Sequence, residues 1–133
     1  MSRVLVVDAS AAVRLSVGRL AAQAAIDQAD LIIAPAMFTA EVANALWKYV
    51  RAGELTVAEA VDMLRAASSM CNRLEPLGDE AAVAALEGAA REDHPVYDLI
   101  YLELARREGA ALATADRRLA RLAEASGIEV VAA

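Results

Sequence analysis

Four carboxylates, Asp8, Glu41, Asp98 and Asp116, each stand just behind a short apolar run or a chain break, at the start of an amphipathic segment. If those runs are strands of one open α/β sheet, their carboxyl ends share a crevice, and side chains placed there converge. Four like charges in one crevice repel unless a cation neutralises them. An all-oxygen donor set selects a hard ion such as Mg²⁺ or Mn²⁺, and one or two ions are equally compatible with four acids. Taken singly, each acid is also what a helix start favours, as a cap or against the helix dipole. The fourfold coincidence of position is what points to a metal. Asp98 is the most telling, because it sits beside Leu99 and Ile100, where an unpaired carboxylate is costly.

Other chemistries lack their residues. One histidine, His94, without a nucleophile motif excludes a Ser-His-Asp constellation, and its place beside Pro95 reads as a loop position. The single cysteine, Cys71, has no partner for a disulfide and no cysteine or histidine cluster for zinc, so it is expected to fill core space. A net charge of −6 and a pI near 4.8 argue against coating nucleic acid by bulk electrostatics. All cations except Lys48 are arginines, which favour bidentate phosphate contacts, and Arg117, Arg118 and Arg121 form a local basic cluster.

The elements that must position the acids follow from the apolar pattern. At 133 residues and 59% hydrophobic composition the chain suits one domain, residues 1–133, with a buried core. Apolar runs are too short to cross a bilayer and the N-terminus lacks a signal pattern, so a cytoplasmic protein with no membrane contact is expected. Short apolar runs alternating with amphipathic segments predict an α/β fold with a four- or five-stranded parallel sheet and six or so helices. Arg3 to Val7 reads as a strand buried on both faces, ending at Asp8. Ser10 is then a candidate cap for a helix running through Gln28. Leu31 to Ile33 make a second strand. Thr39, Val42, Leu46 and Val50 begin a helical period that Gly53 ends. Thr56 and Glu59 form a capping box before Val57, Val61 and Leu64, with Met63 and Met70 as core or dimer packing on the same helix. Leu74 to Leu77 reads as a brief edge strand or loop limited by Pro76, and Asp79 as the cap of an Ala-rich helix. After His94-Pro95, a helix from Val96 stops at Gly109. A strand from Ala110 to Thr114 follows, then a helix opened by Asp116, and a last strand from Ile128 to Val131.

Four segments carry a family resemblance: Val6-Val7-Asp8-Ala9-Ser10, Glu41-Val42-Ala43-Asn44, Tyr97-Asp98-Leu99-Ile100-Tyr101-Leu102-Glu103-Leu104-Ala105, and Ala113-Thr114-Ala115-Asp116-Arg117-Arg118-Leu119. Together, in this order and spacing, they resemble a PIN domain, and more narrowly the VapC-type toxins of toxin–antitoxin pairs. The match covers nearly the whole chain, with the middle from Gly53 to Glu92 matching only as helices. The resemblance implies a Rossmann-like fold and an endoribonuclease that hydrolyses RNA with water and Mg²⁺ or Mn²⁺. It places the acidic quartet on Asp8, Glu41, Asp98 and Asp116, and supporting polar residues on Ser10, Thr114 and Asn44. Leu99 and Ile100 depart from the pattern, which has an alanine and another small or aliphatic residue there.

Trp47 and Tyr49 share the helix of Glu41 and are candidates for a protein interface, since aromatics are enriched at such surfaces. The resemblance implies a VapB-like antitoxin as the partner, with a segment lying near the active site, and a homodimer. A haloacid dehalogenase-type phosphatase would need a second aspartate where Ser10 stands. A receiver domain would need adjacent acids after the first strand and a late lysine, and none follows Lys48. A non-catalytic PIN-like module that binds RNA or protein, with the acids as helix caps, is the remaining alternative.

Overall fold

A computed structural model describes residues 3–16 and 22–133. Five strands, β1 (Val4–Val7), β2 (Leu31–Pro35), β3 (Arg73–Glu75), β4 (Ala111–Thr114) and β5 (Val130–Ala132), form one sheet in the order β3-β2-β1-β4-β5. Every pairing is parallel. The α/β class, the parallel sheet and its upper strand count agree with the sequence. Leu5, Val6 and Val7 are buried, as a strand covered on both faces requires. β3 lies at the edge and ends at Glu75, just before Pro76, which has no N–H for a ladder.

The helices are α1 (Ala9–Ser16), α2 (Gln23–Gln28), α3 (Phe38–Arg51), α4 (Val57–Met70), α5 (Asp79–Glu92), α6 (Val96–Glu108) and α7 (Arg117–Ala125). Three local expectations are corrected. The helix expected to run to Gln28 appears as α1 and α2, and residues 17–21 between them lie outside the described residues. Ser10 does not cap α1. Asp8 holds that place, its Oδ1 accepting the Ala11 N–H at 2.8 Å, because the residue directly behind the strand is one step nearer the helix start. At α5, Gly78 occupies the cap position with no side-chain cap, and Asp79 is already in the first turn. The Thr56–Glu59 capping box is present, each side chain bonded to the other residue's N–H.

The core is continuous across the sheet. α6 contributes Leu99, Ile100, Tyr101, Leu102, Leu104 and Ala105 to it and packs on β1, β2 and β4. Met63, Met70 and Cys71 are half-buried against the same core. Among the described residues no helix is long and apolar enough to cross a membrane. α5 approaches α6 closely at Gly88, where an added Cβ would stand 2.9 Å from Leu99 Cδ1. Leu99 is 1% exposed and has little room to give. Gly88→Val is therefore expected to destabilise the protein by about 1 to 3 kcal/mol; urea denaturation measures it, and an unchanged midpoint would show that this contact is slack.

Candidate active site

The strand order reverses at β1: the chain moves outward through β2 and β3, then returns to the other side of β1 with β4 and β5. The crevice outside the carboxyl ends of β1 and β4 is thus a topological switch point, where open α/β sheets bind ligands. Register sets the two strand ends side by side. Val7 pairs with Ala113, and the Asp8 N–H donates to the Ala113 carbonyl at 3.1 Å. Asp8 and Thr114 consequently face each other, and the Thr114 hydroxyl donates to Asp8 Oδ2. The Ser10 hydroxyl donates to Asp8 Oδ1 at 2.7 Å and accepts the Ala115 N–H at 3.0 Å, tying α1 to the turn after β4.

The remaining acids arrive from three helices. Glu41 lies in the first turn of α3, behind β2, and its Oε1 accepts the Tyr101 hydroxyl of α6 at 2.7 Å. Asp98 lies in the first turn of α6, its Oδ2 2.9 Å from His94 Nε2. Asp116 caps α7, with Oδ1 accepting the N–H groups of Arg118 at 2.9 Å and Leu119 at 3.2 Å. Asp8 and Asp116 are therefore helix caps as well, whereas Glu41 and Asp98 sit in first turns with no capping hydrogen bond.

Their charges act on one another. Burial pushes the Asp8 carboxyl up to about 6, opposed by hydrogen bonds from Thr114, Ser10 and the Ala11 N–H, and the Asp98 charge raises it further. Burial is also the main cause raising Glu41, with the Tyr101 hydroxyl opposing and Asp98 adding to the rise. Asp98 is raised by burial first; His94 opposes, Asp116 raises it further and the Arg118 guanidinium pulls it down. Asp98 is thus the hub, feeling Asp116 and felt by Asp8 and Glu41. The Tyr101 hydroxyl, buried against Glu41, is held well above its ordinary value and stays a donor.

The family model for the PIN domain matches residues 5–125. Ribonuclease VapC3 of Pyrobaculum aerophilum is 38% identical over 125 residues, spanning 87% of this chain and 92% of that protein. The chain belongs to the PIN-domain family. Ribonuclease VapC3 of Mycobacterium tuberculosis is likewise 38% identical over 125 residues, covering 88% of this chain and 85% of that protein. The crystal structure of PAE2754 from Pyrobaculum aerophilum superposes with a TM-score of 0.75 at 29% identity, over 98% of this chain and 92% of that one. VapC20 of Mycobacterium tuberculosis, a toxin that cleaves the sarcin-ricin loop, shares the fold with a TM-score of 0.67 at 18% identity, over 89% of this chain and 94% of that one. The likeness to VapC-type PIN domains read from the four segments is borne out.

In this PIN domain the donor chemistry fits a hard divalent cation: four carboxylates at one sheet end, three of them raised by burial and by one another's charge. Among the described residues the acids do not form a closed set of three ligands around a point. Each is turned onto a local donor instead. The second oxygens of Glu41, Asp98 and Asp116 accept no hydrogen bond there.

A groove runs along α3 beside Glu41, lined by Ala9, Met37, Glu41, Asn44, Lys48 and Tyr97. Asn44 and Lys48 follow Glu41 at spacings of three and seven, so they share its face of the helix. Tyr97, at the start of α6, is 63% exposed and lines the same groove. Arg117, Arg118 and Arg121 are exposed on α7; Arg118 also donates to the Asp93 carbonyl. A second groove, between α3 and α4, is almost wholly apolar and is lined by Leu46, Trp47, Val50, Val57, Val61 and Leu64. Trp47 is 51% exposed there with the Arg51 guanidinium 4.6 Å over its ring. Tyr49, two residues on, lies outside that groove and packs half-buried against the core.

Two residues in contact with the acids were not singled out from the sequence. Tyr101 enters there only within the segment from Tyr97 to Ala105, and His94 only as a loop residue. His94 does lie in the loop between α5 and α6, but it is 7% exposed. Pro95 separates it from α6, so helical spacing gave no signal for its contact with Asp98.

Proposed function

We propose that this VapC-type PIN domain is an endoribonuclease that hydrolyses RNA phosphodiester bonds with Mg²⁺ or Mn²⁺ held by Asp8, Glu41, Asp98 and Asp116. What supports it is the gathering of these acids at the switch point, with Asp98 electrostatically joined to the other three. Ribonuclease activity is the named function of its VapC3 relatives. When bound, a hard divalent ion supplies charge neutralisation at the phosphate and lowers the pKa of water.

This chain's own residues supply the frame. Asp8 is locked between Ser10, Thr114 and the start of α1, so its position is fixed by two strands and a helix. Ser10 and Thr114 hold the β1 and β4 ends together. Asn44 and Lys48 line the route by which an RNA strand reaches the acids, with Lys48 offering a point charge to a phosphate. Because water is the nucleophile, the products carry 3′-hydroxyl and 5′-phosphate ends. Sequencing-gel mobility after treatment with phosphatase or kinase checks this, and 2′,3′-cyclic phosphate ends would point to attack by the RNA's own 2′-hydroxyl instead.

The protein acts in the cytoplasm, folded over residues 1–133 as one domain, as the toxin of a pair with a VapB-like antitoxin, and it forms a homodimer. The exposed Trp47 groove between α3 and α4 suits a partner's apolar helix face, while Tyr49 would act from behind, by supporting α3. Trp47→Glu is expected to weaken antitoxin binding at least about tenfold while leaving RNA cleavage by the free protein unchanged. Titration calorimetry with the cognate antitoxin tests it, and equal affinity would remove Trp47 from that interface.

A further inference from the structure

His94 lies in the loop just ahead of α6, and Asp98 and Tyr101, three apart, share one face of that helix. His94 Nε2 meets Asp98 Oδ2 at 2.9 Å, and the Tyr101 hydroxyl crosses to α3 and meets Glu41 Oε1 at 2.7 Å. Both donors are buried: the His94 side chain is 3% exposed and Tyr101 is 2% exposed. Each acid therefore has one oxygen tied down from inside the protein, and its other oxygen accepts no hydrogen bond among the described residues.

We propose that His94 and Tyr101 are positioning residues, each holding one oxygen of its carboxylate so that the other is presented to a divalent cation. The proposal rests on the metal-dependent reading above and goes beyond it, since neither residue belongs to the acidic quartet. A structural role alone explains them less well. A phenylalanine would fill the Tyr101 space without a hydroxyl to satisfy, and a buried imidazole needs a polar partner that an apolar side chain would not. Both polar atoms are instead spent on acids of the candidate site. A carboxylate already fixed in orientation loses less freedom on binding a cation. Polar groups that orient metal ligands typically matter about 10- to 100-fold in affinity or activity.

The test uses the full chain and Mn²⁺ itself, with the dissociation constant read from the electron paramagnetic resonance signal of free Mn²⁺. Tyr101→Phe removes only the hydroxyl, His94→Leu removes the donor, and His94→Gln restores an N–H. Tyr101→Phe and His94→Leu are expected to weaken Mn²⁺ binding by about tenfold or more, with kcat recovering at high Mn²⁺ and KM for RNA unchanged. His94→Gln is expected to return to within a few fold of the wild type. Wild-type Mn²⁺ affinity in Tyr101→Phe and in folded His94→Leu would overturn the proposal while leaving the metal reading in place. No Mn²⁺ binding by the wild type would overturn both.

Discussion

Asp8→Asn is expected to raise the unfolding temperature of the metal-free protein at pH 7.5 while removing its RNA cleavage. Asp8 is 5% exposed and its carboxyl is raised from 3.8 to about 6, chiefly by burial. The native state thus keeps the Asp8 proton to higher pH than the unfolded chain does. Native stability falls as pH rises from about 4 to about 6, and above that the ionised carboxyl opposes folding by about 3 kcal/mol. An asparagine removes that charge and keeps an oxygen for the Ala11 N–H and the Ser10 hydroxyl. Its amide faces Thr114, whose hydroxyl can rotate to accept. The expected gain is about 1 to 3 kcal/mol, or several degrees for a domain of this size. Thermal unfolding in EDTA measures it. A loss of stability would mean that the hydrogen bonds to the carboxylate outweigh its burial.

Adding Mn²⁺ at about one hundred times its dissociation constant is expected to stabilise the wild type at pH 7.5 by about 2.7 kcal/mol, and Asp8→Asn by much less. At pH 5 the wild-type gain is expected to fall to about half or less, because Asp8 is then largely protonated and Glu41 and Asp98 are raised in the same direction, so cation and proton compete. Differential scanning fluorimetry across this pH range reads the effect. Equal stabilisation at pH 5 and pH 7.5 would place the cation away from these carboxylates.

On the proposed function, stability and activity pull against each other at Asp8, whose buried charge a bound cation would relieve. Selection for function commonly leaves such sites less stable than a neutral replacement would be.

Much of this was legible in the sequence, for reasons that differ between elements. β1 and β4 were readable because a strand buried on both faces must be almost continuously aliphatic, and Asp8 and Thr114 then mark where each stops. Gly109 stopped α6 as expected, with φ +60 suiting a residue without a Cβ. Asp98 was conspicuous because its apolar neighbours gave it no local partner. What escaped was what only tertiary contact decides. The pairing of Tyr101 with Glu41 joins residues 60 positions apart, and a tyrosine in a buried stripe looks the same whether its hydroxyl meets an acid or a carbonyl. Trp47 and Tyr49 look alike as helix aromatics, yet the angle between them sends one to a groove and the other to the core. The cap of α1 fell on Asp8, so one carboxylate serves both as helix cap and as candidate ligand, two roles that residue type alone does not separate.

The most direct test is cleavage of a structured RNA pool by purified wild-type protein and by Asp98→Asn, with Mn²⁺, with Mg²⁺ and with EDTA. The account predicts cutting by the wild type with either ion, none in EDTA, and at least about a hundredfold less in the variant, which keeps the side chain's shape and loses its charge. Cutting in EDTA, or equal cutting by both proteins, would contradict it.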